Sequence, residues 1–146
     1  MKKKKPSRDL SKLETKMAVL EKQLQSAVAD YRNLEARIEK EVSRFRQESL
    51  MRIVDKLVGV LDDLERAEKH LKEKGLTMAV NQFKGVLESE GMEEILSDQE
   101  RFDPVKMDCV DVVDGPKDVV VETILKGYRL NSDVVRPARV KVGKGK

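Results

Sequence analysis

From Leu10 to Ile38 the apolar residues fall alternately three and four positions apart: Leu10, Leu13, Met17, Leu20, Leu24, Ala27, Tyr31, Leu34 and Ile38. Lys, Glu, Arg and Gln fill the positions between them. A helix turns once in about 3.6 residues, so this spacing keeps one narrow apolar stripe on one face, the seam of a coiled coil. Glu41 breaks the pattern, and the stripe resumes as Val42, Phe45, Ser49 and Ile53, spaced nearer to an 11-residue repeat that relaxes the supercoil. Beyond Leu50 the stripe broadens. Val54, Leu57, Leu61, Leu64 and Leu71 run beside Ile53, Val60 and Ala67, a face wide enough to need several neighbours, as in a helical bundle. The rest of the chain is too small to cover so much apolar surface, and the chain is expected to oligomerise.

No proline interrupts residues 7–103. The long helix is expected to stop at Lys72-Glu73-Lys74-Gly75, where lysines meet the carbonyl end and glycine supplies a left-handed residue. A second helix is expected from Thr77 as N-cap to Gly91, with Val80, Phe83, Val86 and Leu87 on one face. It would fold back on the long helix or on its equivalent in a partner chain. From Met92 short β-rich runs take over: Cys109–Val113, Val119–Leu125, Tyr128–Leu130 and Arg139–Val142. Asp114-Gly115-Pro116, Lys126-Gly127, Asn131-Ser132 and Pro137 punctuate them, which predicts a small antiparallel β domain. The fold class is therefore α+β. Residues 1–9 are expected to form a disordered basic leader, residues 10–91 the coiled-coil and bundle region for dimerisation, and residues 92–146 the β domain.

Charge and composition exclude several functions. The chain holds 57 Asp, Glu, Lys and Arg among 146 residues, with five aromatics, one Cys and one His. No cysteine-rich zinc site or internal disulfide can form, and no metal or cofactor is expected. No stretch reaches the roughly 20 apolar residues that span a bilayer, so no membrane association is expected. The basic start lacks the apolar core of a secretory signal, and the expectation is a cytoplasmic protein, either of a bacterial cytosol or a processed organellar form. Glu88 to Asp103 carries seven acids and one base, and Lys126 to Lys146 seven bases and one acid, a cationic segment suited to an acidic partner. Nucleic acid is not the expected partner, because Pro6 separates the leading lysines from the heptads and no continuous basic helix enters the seam.

Catalytic signatures are missing, and the chain reads as no enzyme. There is no phosphate loop, zinc-protease helix or nucleophile elbow. His70 suits the helix dipole at the end of the long helix, and Cys109 suits a small buried apolar position. Asp62-Asp63 and Glu93-Glu94 are neighbours in sequence that point apart, read as solvated faces.

Three stretches together resemble the GrpE family, the nucleotide exchange factors of DnaK-type heat-shock chaperones. The first runs from Ser49-Leu50 through Leu57-Val58-Gly59-Val60-Leu61-Asp62-Asp63-Leu64-Glu65-Arg66-Ala67. The second comprises Gln82-Phe83, Val86-Leu87, Gly91 and Glu93-Glu94-Ile95, then Phe102-Asp103-Pro104. The third is Lys126-Gly127-Tyr128-Arg129-Leu130-Asn131, Val134-Val135-Arg136-Pro137-Ala138 and Val140-Lys141-Val142. Upstream, Asn33, Arg37 and Glu39-Lys40-Glu41 match a further family stretch. The chain departs from the family pattern at Gly59 (usually Pro), Met107 (usually His) and Asp133 (often basic).

The resemblance implies a co-chaperone in protein folding and the heat-stress response. It implies a parallel homodimer whose helices form a four-helix bundle, and a β domain that wedges into the ATPase domain of the chaperone and speeds ADP release. Within Val119–Leu125, alternation separates Val119, Val121 and Leu125 from Val120, Glu122 and Ile124; with the former set inward, Ile124 is left for the chaperone. Arg37, Arg44, Phe102, Arg136 and Val142 also match partner-facing positions. Core packing is the other reading of Phe102 and Val142, and a solvated helix face that of Arg37 and Arg44. Dimer contacts fall to Leu13, Met17, Leu20, Leu24, Tyr31, Leu34, Ile38, Leu57, Leu61 and Leu64. The competing functions are a structural or adaptor coiled coil, and a holdase with an unfolded polypeptide as partner.

Overall fold

The computed structural model describes residues 5–145, with side chains from Ser7. Two helices precede six strands: α1 (Lys5–Leu71), α2 (Lys74–Ser89), β1 (Met92–Ile95), β2 (Met107–Val113), β3 (Val120–Leu125), β4 (Gly127–Leu130), β5 (Asp133–Arg136) and β6 (Ala138–Gly143). The fold is α+β. Two compact units divide after Gln47. In the first, α1 exposes every described side chain from Ser7 to Arg46, its apolar stripe included, and Gln47 is half-buried. The second, from Glu48, holds the remaining turns of α1, α2 and all six strands.

Several boundaries differ from the sequence expectations. Helix α1 takes in residues 5–9, for which the sequence predicts a disordered leader; Pro6 lies in the first turn, where its missing N–H has no helical partner to lose. Residues 1–4 of that leader lie outside the described residues. The left-handed stop after α1 is Lys72 (φ 51°), while Gly75 sits inside α2. Helix α2 starts from Glu73 with no side-chain cap, so Thr77 is not its N-cap but an interior residue bonded back to the Glu73 carbonyl. Gly91 does end the second helix. Its φ of 94° suits glycine, and a Cβ would lie 2.5 Å from the Asn131 side-chain oxygen.

The strands form two three-stranded sheets, ordered β1-β4-β5 and β2-β6-β3. The first is antiparallel. In the second, β2 pairs parallel to β6 and β3 antiparallel, so the β region is mixed rather than wholly antiparallel. Strands β1 and β5 lie outside the runs that the sequence predicts, because Met92-Glu93-Glu94-Ile95 and Asp133-Val134-Val135-Arg136 are short and carry charge.

Each sheet has its own core. Val54, Val58 and Leu61 of α1 and Val80 and Leu87 of α2 bury with Met92, Tyr128 and Leu130 of the first sheet. These α1 residues are four and three apart, one helix face. Met107, Val120, Ala138, Val140 and Val142 form the second core, with Phe102 packed against it and no helical residue in it.

Candidate functional site

The second sheet passes to the first and back through two one-residue crossovers. Lys126 separates β3 from β4, and Pro137 separates β5 from β6. The two lie against each other at Gly127, where a Cβ would come within 2.8 Å of the Ala138 Cα and 2.9 Å of the Pro137 carbonyl carbon. Arg136, immediately before Pro137, donates from Nη1 and Nη2 to both carboxylate oxygens of Asp62 on α1, at 2.6 and 3.1 Å. Its Nε and Nη2 also donate to the Lys126 carbonyl at 3.1 and 2.7 Å. A planar fork held on two acceptors has little rotational freedom, and this pair is mostly buried. The Arg136 guanidinium carbon also stands 5.7 Å from the centre of the Tyr128 ring.

Glu65, one helical turn beyond Asp62, serves the other crossover. It pairs with Lys84 of α2 and with Lys126 Nζ at 3.2 Å, and Lys126 Nζ also lies 3.7 Å from Glu94 of β1. Burial pushes the Glu65 carboxyl up, but hydrogen bonds and charge from Lys84 and Lys126 outweigh it and hold the group below its ordinary value. Burial likewise lowers Lys126, while Glu65 and Glu94 outweigh it and raise the ammonium above its ordinary value.

Within the second unit, the sequence-predicted partner-facing residues do not gather in one patch. Ile124, on β3 two residues before Lys126, is 47% exposed. It lines an open groove of about 530 Å³ with Leu96, Asp98, Glu100 and Lys69, and Leu96 is 79% exposed. Phe102 and Val142 pack in the second core instead. Arg136 is held inside the molecule. Arg37 and Arg44 are exposed in the first unit. The alternation expected along β3 is also corrected: Val120 is buried and Val121 exposed, because bulges shift the register after Val120 and again after Thr123. Ile124 remains outward.

Other readings change as well. Cys109 is exposed, its Sγ donating to the Asp111 carbonyl at 3.3 Å beside a bulge. Asp62 is no solvated residue, whereas Asp63 is exposed and pairs with Arg66 at 3.4 Å. The C-terminal cationic segment is largely neutralised within the chain, through Lys126–Glu65, Arg129–Glu93, Arg136–Asp62, Lys141–Glu122 and Lys144–Asp114. Lys141, raised by its hydrogen bond to Glu122, is one of these.

Of the expected dimer contacts, Leu13, Met17, Leu20, Leu24, Tyr31, Leu34 and Ile38 are each at least half exposed. Leu57 and Leu64 are half-buried against the helical core. Leu61 is fully buried within its own chain, so it has no surface to offer a second copy. The outward face of this part of α1 is Ile53 and Val60. Sequence reasoning missed Asp62, Glu65 and Lys126 as structural groups. A signal existed: Glu65 continues the Val54, Val58, Leu61 spacing, placing a carboxylate on the buried face.

No described helix is long and apolar enough to cross a membrane. The GrpE family model matches residues 1–144. The chain is 34% identical over 126 residues to Protein GrpE of Methanothermobacter thermautotrophicus, covering 83% of this chain and 72% of that protein. It is 35% identical to Protein GrpE of Fusobacterium nucleatum subsp. polymorphum, over 80% of this chain and 62% of the relative. Protein GrpE of Thermus thermophilus is 31% identical, over 82% and 71%. With the family model spanning both the exposed helical seam and the two-sheet region, the chain belongs to the GrpE family.

Proposed function

We propose that the chain works as a homodimer that engages the ATPase domain of a DnaK-type chaperone with its second sheet, Ile124 leading. As a GrpE-family protein it is an adenyl-nucleotide exchange factor, a co-chaperone in protein folding. The observation that carries the reading is the extent of the family match, which spans the chain from the seam to β6. An exchange factor makes and breaks no bonds. It binds the open form of the chaperone more tightly than the closed form, and weakens bound nucleotide by the same coupling free energy. On this reading the chain is no enzyme and acts in the cytoplasm, where the chaperone meets ATP.

Exposed Ile124 beside Leu96 supports an apolar contact at the groove. Phe102 and Val142 belong to the core of the sheet that carries Ile124. Seven exposed seam residues, from Leu13 to Ile38, support the homodimer. Arg37 and Arg44 stand on the same exposed stretch of α1 as candidate second contacts.

Rapid mixing with a DnaK-type chaperone loaded with fluorescent ADP tests the function. Release should accelerate with this protein and saturate, and Ile124→Asp should weaken the effect. No acceleration at saturating concentration would leave an adaptor coiled coil.

A further inference from the structure

We infer that Asp62 and Glu65 of α1 are positioning residues, which grip the two crossovers through Arg136 and Lys126 and thereby fix the direction of the second sheet. The inference rests on the proposal that this sheet engages the chaperone. Its basis is a division of labour in the packing. The core of the second sheet contains no helical residue, so apolar burial does not orient that sheet on the helices. The first sheet, by contrast, is bound to both helices through Met92, Tyr128 and Leu130.

The second sheet is joined to this platform by the segment between β1 and β2 and by the crossovers at Lys126 and Pro137. Residues 97–102 of that segment run along β3, with Ser97 Oγ 2.7 Å from Thr123 Oγ1 and Gln99 and Phe102 donating to the Val120 and Asp118 carbonyls. That segment therefore moves with the second sheet. The crossovers are the places where the two sheets meet, and α1 holds each by a carboxylate. Apolar contacts are non-directional, whereas a bidentate Arg–carboxylate pair fixes both distance and angle. Arg136 bonds Asp62 and the Lys126 carbonyl together, so the two crossovers and α1 form one bonded unit. Ile124 lies two residues from it. A small rotation at Lys126 would swing Ile124 and the sheet behind it away from a binding surface matched to one orientation.

Asp62→Asn and Glu65→Gln keep shape and remove charge. Arg129→Gln is the control: it deletes the Glu93–Arg129 pair on the exposed face of the first sheet, away from the crossovers. Full-length protein carries spin labels on Cys109 of the second sheet and on Met78→Cys of α2, both exposed, and is diluted with unlabelled Cys109→Ser chains. Electron–electron distance distributions are read with circular dichroism. Fluorescent-ADP release at saturating protein is measured alongside.

The expected result is a broadened distribution for Asp62→Asn and Glu65→Gln at unchanged helicity. The maximal release rate should fall about fivefold or more, within the usual range of coupling between sites. The control should match the parent in both. An unchanged distribution in both carboxylate variants overturns the inference, whatever happens to the melting temperature. So does equal broadening in Arg129→Gln, which would mean that loss of any ion pair loosens the sheet. If the unsubstituted protein fails to accelerate release, the function fails, while the distances still decide whether Asp62 and Glu65 orient the sheet.

Discussion

The same helix meets two fates on either side of Gln47. Up to that point its apolar stripe lies in the open, with Leu20 62% and Leu24 65% exposed. Beyond it, Val54, Val58 and Leu61 are at most 2% exposed, covered by α2 and the first sheet of the same chain. Spacing alone does not separate these cases, since steps of three and four occur in both. What differs is whether the chain returns to cover the stripe. The second region completes most of its own burial, and the first is left to the proposed dimer.

Charging the seam should give the largest effect. Leu20→Lys with Leu24→Lys places two ammonium groups per chain where the proposed dimer buries leucines, at a cost of several kcal/mol. Sedimentation should show a shift from dimer toward monomer at micromolar concentration, with the sheet-bearing region still folded. Unchanged mass down to nanomolar concentration would show that the exposed stripe is not the dimer seam.

Leu61→Ala probes the other side of the comparison. Leu61 is wholly enclosed, so truncation should destabilise the second unit by about 2–5 kcal/mol, lost transfer energy plus a cavity. The loss should be the same at every protein concentration, because the contacts are within one chain. A penalty that vanishes on concentrating the protein would place Leu61 in the intermolecular interface after all.

How legible this was in the sequence follows from the range of the interactions. The two helices and four of the strands were readable because periodicity and turn residues are local signals. The inward face of α1 was only half readable, since several apolar rows compete after Leu50 and the tertiary partner selects Val54, Val58 and Leu61. Strands β1 and β5 were hidden by their charged residues, Glu93, Glu94 and Arg136, which find partners only after folding. Arg136 looked like a surface residue because its carboxylate, Asp62, lies 74 positions away. Ile124 faces outward as simple alternation predicts, but Val120 is inside and Val121 outside, because two bulges shift the register along β3. Bulges and long-range ion pairs have little local signature.

The smallest expected effect concerns Tyr128, in the region that closes on itself. Its ring is 2% exposed, and its hydroxyl is buried without a hydrogen-bond partner. Burial raises the phenol well above its ordinary value of 10.0, and the charges of Glu65, Glu94 and Asp62 add to the shift. A group whose folded pKa is raised gives stability that is complete below its unfolded pKa and is lost as pH climbs toward the folded one. The loss should therefore begin near pH 10, with Lys126 adding to it above 10.5. Glu65 works in the opposite direction, contributing above 4.5 and losing that contribution as pH falls through its lowered folded value. Tyr128→Phe keeps the ring beneath Arg136 and removes only the orphan hydroxyl. Near neutrality it should be neutral or stabilising by up to about 1 kcal/mol, because an unmet buried polar group is deleted. Its advantage should then widen above pH 10 by as much as about 1.4 kcal/mol for each pH unit, since the parent alone carries a phenol that ionises on unfolding. Urea melts at pH 7, 10 and 11 measure both parts. A clear loss of stability at pH 7 would mean that the hydroxyl has a partner, and an advantage that stays flat to pH 11 would mean that the phenol ionises as readily inside this core as outside it.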